Sequence, residues 1–160
     1  MHKKEIVLSV EIYTSIEELN TEDKILLETA KAVTESAYAP YSKFKVGAAA
    51  RLIDGKIVTG TNQENASYPV GICAERVLLS AIASQYHAAA IDTIAISYSN
   101  LQGVSNNPIS PCGICRQSLA EYEERTKHSI RIILSGLHGE IYIINKAGYL
   151  SPLSFSAADM

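Results

Sequence analysis

Three cysteines constrain this chain more than any other feature. Cys73 lies in "GICAERV", and Cys112 and Cys115 lie in "PCGICRQ". Each stretch reads as the opening turn of a helix that comes after a loop. At 160 residues the chain has the length of one domain. A fold in which the three cysteines act together must therefore bring two helix N-termini to one point. Helix N-termini carry partial positive charge and free N–H groups, and that field favours thiolates. Three thiolates meeting there form a pocket for a borderline cation, with zinc the default choice.

The ligand count separates the possibilities. A closed structural zinc site takes four ligands, whereas a catalytic site takes three and a water. His87 stands fourteen residues beyond Cys73 on the same helix, about 21 Å away at 1.5 Å per residue, so it is out of reach. His2 falls in a tail and His138 in a turn. His128 stays open as a fourth ligand. A structural zinc or protein-binding module using Cys73, Cys112, Cys115 and His128 is thus one rival. A thiol oxidoreductase using Cys112-Gly-Ile-Cys115 is another, because C-x-x-C at a helix start suits redox chemistry. That reading leaves Cys73 and Glu75 without a role.

Glu75 lies two positions after Cys73, and residues two apart on a helix face away from each other. Glu75 is therefore a poor second ligand. From the first turn it can still approach a metal-bound water from the side, where a general base belongs. Taken alone it reads as a surface glutamate placed for the helix dipole. Beside Cys73 and C-x-x-C the general base is the stronger reading. A zinc ion with three thiolates is net negative, so nearby positive charge matters. Arg76 is the candidate to donate to the sulfurs.

Patterning around these motifs is that of an α/β protein. Residues 5–13 alternate as a strand, with Ile6, Leu8, Val10 and Ile12 on one side. "SIEE" at 15–18 has the form of a capping box. A helix is expected over 21–36, ending before Pro40. Residues 43–53 and 56–62 form a hairpin about Asp54-Gly55, which suits a tight primed turn. A helix runs from Cys73 to about Ala89, a strand starts at Ile91, and a second short helix begins after Pro111. Two strands, 129–135 and 140–144, flank a turn at Gly136–Gly139. The segment 151–160 is ambiguous. Alternating strands and helices imply a mixed sheet with helices packed on it.

Bulk properties remove several function classes. A net charge of −3 with no basic stripe argues against standing nucleic-acid binding. No apolar run reaches the ~20 residues of a membrane helix. Ile6-Val7-Leu8 is too short for a secretory core, and three cysteines argue against a disulfide framework. A reduced, cytoplasmic protein is the expectation.

Zinc nucleobase deaminases carry H-x-E…P-C-x-x-C. This chain has Cys73-Ala74-Glu75 and then Pro111-Cys112-Gly113-Ile114-Cys115. With "AYAPYSKFKVGAA" (37–49), "TNQENASYPVGICAER" (61–76) and "SPCGICRQSLAEY" (110–122), residues 21–156 resemble the cytidine deaminases. The all-cysteine form resembles their small, homotetrameric branch. Thr61 departs from the cysteine many relatives have there. The resemblance implies a three-layer α/β/α fold with a mixed central sheet, in one catalytic domain over 21–160 behind an N-terminal extension, 1–20. It implies one Zn2+ per chain on Cys73, Cys112 and Cys115, with Glu75 shuttling protons. It implies that Asn62 and Glu64 bind the ribose hydroxyls, that Phe44 stacks on the pyrimidine, and that Tyr68 and Phe155 contribute across subunits. The implied reaction is hydrolytic deamination of cytidine and 2′-deoxycytidine in pyrimidine salvage. Another aminated pyrimidine nucleoside is the alternative substrate. A nucleotide substrate would need phosphate-binding cations that the sequence does not display.

Overall fold

A computed structural model of the chain describes residues 1–160. It contains β1 (Glu11–Tyr13), α1 (Thr21–Val33), β2 (Phe44–Leu52), β3 (Ile57–Thr61), α2 (Ala74–Gln85), β4 (Ile91–Asn100), α3 (Gly113–Thr126), β5 (Arg131–Ser135) and β6 (Ile141–Ile144). The strands form one sheet in the order β1-β6-β5-β4-β2-β3. β4 and β5 run parallel, with α3 as their crossover, and every other pair is antiparallel. The sheet is mixed, as expected.

Successive strand residues point to opposite faces, and here both faces are apolar. Ala49, Ala95, Ile133 and Ile143 stand in one row across four strands. They pack with Leu26, Leu27 and Ala30 of α1. One residue along, Ala50, Ile94, Ile132 and Ile144 form the next row. They pack with Leu78 and Ile82 of α2 and Leu119 and Tyr122 of α3. The result is three layers, with α1 on one side and α2 and α3 on the other.

Two glycines set how closely the helices approach. A Cβ on Gly47 would stand 2.3 Å from the Ala30 carbonyl oxygen of α1. A Cβ on Gly60 would stand 2.5 Å from the Leu78 nitrogen of α2. Both separations are impossible for real atoms, so only glycine lets the helices lie this low on the sheet.

Several boundaries differ from the sequence expectation. Only residues 11–13 of the N-terminal stretch are strand, paired with Ile141, Tyr142 and Ile143 of the short β6. Ile6, Leu8 and Ile12 stay exposed, while Leu19 enters the core beneath α1. At "SIEE" the Ser15 side chain accepts from the Glu17 N–H, and it opens only a single 3₁₀ turn, Ile16–Glu18. The last residues expected in α1 tighten into a 3₁₀ turn, Thr34–Ser36. α2 stops at Gln85, and His87 and Ala88 adopt left-handed backbone. At the hairpin only Gly55 has positive φ (84°). Its N–H bonds the Leu52 carbonyl, and Leu52 N–H bonds the Lys56 carbonyl. This is a three-residue loop closing on a left-handed glycine, not the two-residue primed turn expected.

Candidate active site

The three cysteines meet on the α2/α3 side of the sheet. Cys73 is the N-cap of α2 and Cys112 the N-cap of α3. Cys115 lies in the first turn of α3, on its buried side. The sulfurs all lie within 4.8 Å of one another. Cys73 to Cys112 is 3.8 Å and Cys112 to Cys115 is 3.5 Å. This is a triangle of free thiols rather than one bonded pair and a bystander. Neither helix end has a side-chain cap hydrogen bond, so both positive ends face the sulfurs.

Electrostatics within the triangle are coupled. Hydrogen bonding from Cys115 draws the Cys73 thiol down to about 6, against burial and the Glu75 charge. Cys115 is pushed up, first by that same pairing and then by burial. Three cysteine sulfurs this close are a ligand set for a divalent cation. The donor set, soft and threefold, fits zinc with a further position open.

Glu75 is on the first turn of α2 and almost fully buried, at 5% exposure. Burial raises its carboxyl above the usual range, partly offset by its own backbone N–H and by the Cys115 thiol. A carboxyl so placed is suited to taking and returning a proton. Arg76 makes no hydrogen bond to sulfur. It acts on Cys73 through its charge, which favours the thiolate.

A cleft of about 340 Å³ opens over Cys73, Glu75 and Cys112, walled by Val46, Asn62, Glu64 and Tyr68. Asn62 and Glu64 come just after β3, and both brace backbone. Asn62 Oδ1 accepts from the Val46 N–H at 2.7 Å, and its Nδ2 donates to the Phe44 carbonyl at 2.9 Å. Glu64 Oε2 accepts from the N–H groups of Tyr41 and Ser42. Hydrogen bonding from Ser42 leads the causes that hold this carboxyl below the usual range. Each side chain keeps spare capacity, one lone pair and one N–H on Asn62 and a free oxygen on Glu64. Both are therefore fixed in place and still able to bind.

The other residues expected at the site are spread more widely. Phe44 stacks on Tyr98 (centroids 4.7 Å apart, planes at 14°) and is not in the cleft wall. Tyr68 is exposed at the cleft mouth, its ring 5.9 Å from that of Tyr41. Phe155 is exposed on the outer flank of α3, away from its own cleft, with its carbonyl held by Gln117 Nε2. His128 lies past the C-terminal end of α3, about 20 Å of helix from Cys115 by the 1.5 Å rise per residue. It cannot complete a four-ligand site. Sequence reasoning missed Ile109 and Ser110, which line the cleft. Their position just before Pro111 and Cys112 is the signal that would have found them.

Comparison with known proteins agrees with this geometry. The family described as "Cytidine and deoxycytidylate deaminase zinc-binding region" matches residues 20–131. The cytidine deaminase of Halalkalibacterium halodurans is 37% identical over 137 residues, covering 86% of this chain and 96% of that protein. That of Sporosarcina psychrophila is 39% identical over 140 residues, covering 86% and 93%. Among solved structures, a cytidine deaminase from Burkholderia pseudomallei superposes with a TM-score of 0.70 at 42% identity, covering 82% of this chain and 97% of that one. One from Mycobacterium tuberculosis gives 0.65 at 31% identity, covering 86% and 99%.

Proposed function

The chain belongs to the cytidine and deoxycytidylate deaminase family, and on that footing we propose that it hydrolyses cytidine to uridine and ammonia. It is a zinc-dependent hydrolase of C–N bonds. The observation that carries the reading is the buried Glu75 carboxyl beside three clustered sulfurs, with Glu75, Cys73 and Cys112 lining one cleft.

Cys73, Cys112 and Cys115 would hold the zinc. When bound, zinc supplies the Lewis acidity that makes a water nucleophilic near neutral pH. Glu75 is placed to take one proton of the attacking water and pass it to N3 of the cytosine ring as the water oxygen bonds to C4. The same carboxyl would then pass the proton of the new C4 hydroxyl to the amino group, so that C4=O forms as the C4–N bond breaks and ammonia leaves. Its raised carboxyl range suits this traffic in both directions. Arg76 offsets part of the thiolate charge. Asn62 and Glu64, already braced against backbone, offer their spare groups to the ribose hydroxyls and hold C4 over the site, which removes orientational entropy from the barrier.

The finer reading extends to 2′-deoxycytidine, to a role in pyrimidine salvage in the cytoplasm, and to a homotetramer. No helix is long and apolar enough to cross a membrane. Phe155 and Tyr68, 61% and 74% exposed, are available to neighbouring subunits, and Phe44 to the pyrimidine once the pocket is complete. The division into an extension (1–20) and a catalytic domain (21–160) belongs to the same proposal, with residues 11–13 of the extension added to the sheet edge.

Cytidine turnover, measured by loss of ultraviolet absorbance, and zinc per chain on the same sample test the reading. Turnover with about one zinc per chain is expected. Zinc without turnover of either nucleoside would redirect the assignment to other aminated pyrimidines. No zinc and no turnover would overturn it. Light scattering should return a tetramer, and a fully active monomer would remove Phe155 from the site and leave Tyr68 to its own chain's cleft.

A further inference from the structure

Residues 101–112 form the longest irregular connection between the sheet and α3, and they deliver Ile109, Ser110 and Cys112 to the cleft. The upstream part of this loop is well fixed. The His138 N–H donates to the Ser105 carbonyl. A Cβ on Gly136 would lie 2.2 Å from the Ser105 oxygen, and one on Gly139 2.0 Å from the Asn106 oxygen, so the loop rests directly on that turn. Downstream the support is thinner. None of residues 107–111 makes a backbone–backbone hydrogen bond. Ser110 and Cys112 are exposed, and the α3 N-terminus has no side-chain cap.

One side chain supplies what the backbone does not. Arg116 lies one helical turn beyond Cys112. Its Nε donates to the Pro111 carbonyl at 2.8 Å, one terminal nitrogen to Ser110 Oγ at 3.1 Å, and the other to the Leu150 carbonyl at 3.1 Å. Leu150 is buried in the main core, so this third contact is an anchor. The three acceptors lie in different directions about one planar group. A guanidinium meets such a set and a lysine ammonium does not.

We infer that Arg116 is a positioning residue: it fixes Ser110 and Pro111 to the core at Leu150 and thereby sets where Cys112 stands relative to Cys73, Cys115 and Glu75. The inference rests on the reading of the three cysteines as zinc ligands. Partners that orient metal ligands from outside the ligand set are worth about 10–100-fold in metal affinity or activity. A shift of a reacting group by about 1 Å costs on the order of 10²-fold in rate.

The test compares the zinc-loaded wild type with Arg116→Ala and Arg116→Lys. Zinc release to a chromogenic chelator, the absorption spectrum of the cobalt(II)-substituted proteins, kcat and KM for cytidine, and Tm are measured on each. Arg116→Ala is expected to release zinc about ten-fold faster or more, with altered cobalt bands. Its kcat should fall by about 10–100-fold while KM changes by less than about three-fold. Arg116→Lys should lie between, and added guanidinium ion should restore part of the Arg116→Ala rate. Wild-type zinc release and an unaltered cobalt spectrum in Arg116→Ala would overturn the inference, whatever the change in Tm. If that variant is not recovered folded, Arg116→Lys decides it by the same two readouts. A wild type that holds zinc but leaves cytidine untouched would defeat the functional reading alone, since release and spectrum still judge Arg116. A wild type that binds no zinc would defeat both.

Discussion

The N-terminus of α1 and those of α2 and α3 are built from the same backbone and finished in opposite ways. At α1 the Asn20 side chain accepts from the Asp23 N–H and donates to the Asp23 carboxylate. Glu22 and Asp23 occupy the positive first turn. Arg131 reaches buried Asp23 at 2.7 Å and Arg51 reaches it at 3.8 Å. The end of this helix is closed by partners from within the chain. At α2 and α3 the caps are Cys73 and Cys112, and no side chain caps either helix. A good cap contributes about 1 kcal/mol, and both helices forgo it. The positive ends instead start at Cys73 and Cys112, beside the clustered sulfurs proposed as zinc ligands. One side of the sheet uses its helix end for stability, and the other keeps its ends for chemistry.

Substitutions can break that contrast. The largest effect is expected from Cys112→Ala. Because Cys112 is exposed, the core should survive while zinc and turnover are lost together, as metal analysis and circular dichroism would show. Next, Glu75→Gln should retain zinc and reduce kcat by about 10³-fold, within the usual scale of acid–base catalysis. A Gln variant with wild-type rates would end the role given to Glu75. On the opposite face, Asp23→Ala strips two arginines of a buried partner and should cost about 3 kcal/mol. The corresponding fall in Tm is about 10 °C for a chain of this length, with kcat of the folded fraction unchanged. Smallest is Asn20→Ala, about 1 kcal/mol by loss of the cap, seen as a lower denaturant midpoint at constant slope. If either α1 variant lost zinc before it lost stability, the two sides of the sheet would not be separable.

The meeting of the cysteines and the mixed sheet are legible in the sequence because each rests on local signals, whereas the three-layer order is implied only by the family resemblance. Cys73 and Pro111-Cys112 stand where helices open, and strands alternate with helices along the chain. What stays hidden depends on distant backbone. Nothing in "NQEN" shows that Asn62 spans the Phe44 carbonyl and the Val46 N–H, or that Glu64 gathers two N–H groups from the loop before β2. Phe44 on one strand does not disclose Tyr98 on the next as its stacking partner. The N-terminal alternation over 5–13 promises a long strand, but strand length is settled between two partners and β6 is short. The sequence pattern runs past the true end of α2 because His87 and Ala88, not a glycine, take the left-handed turn.

The order in which the three proposed zinc ligands appear along the chain has a consequence for biosynthesis. Cys73 precedes β4, while Cys112 and Cys115 come after it. During synthesis, at roughly 5–20 residues per second, Cys73 is exposed for several seconds before its partners leave the ribosome. The three sulfurs then converge only when α3 has folded back as the crossover to β5, a long-range closure that comes late. On the proposed ligand set, metal loading is tied to completion of the sheet's parallel pair. A chain that stalls before α3 presents a single cysteine to the cell, and zinc retention becomes a test of whether the protein was finished correctly.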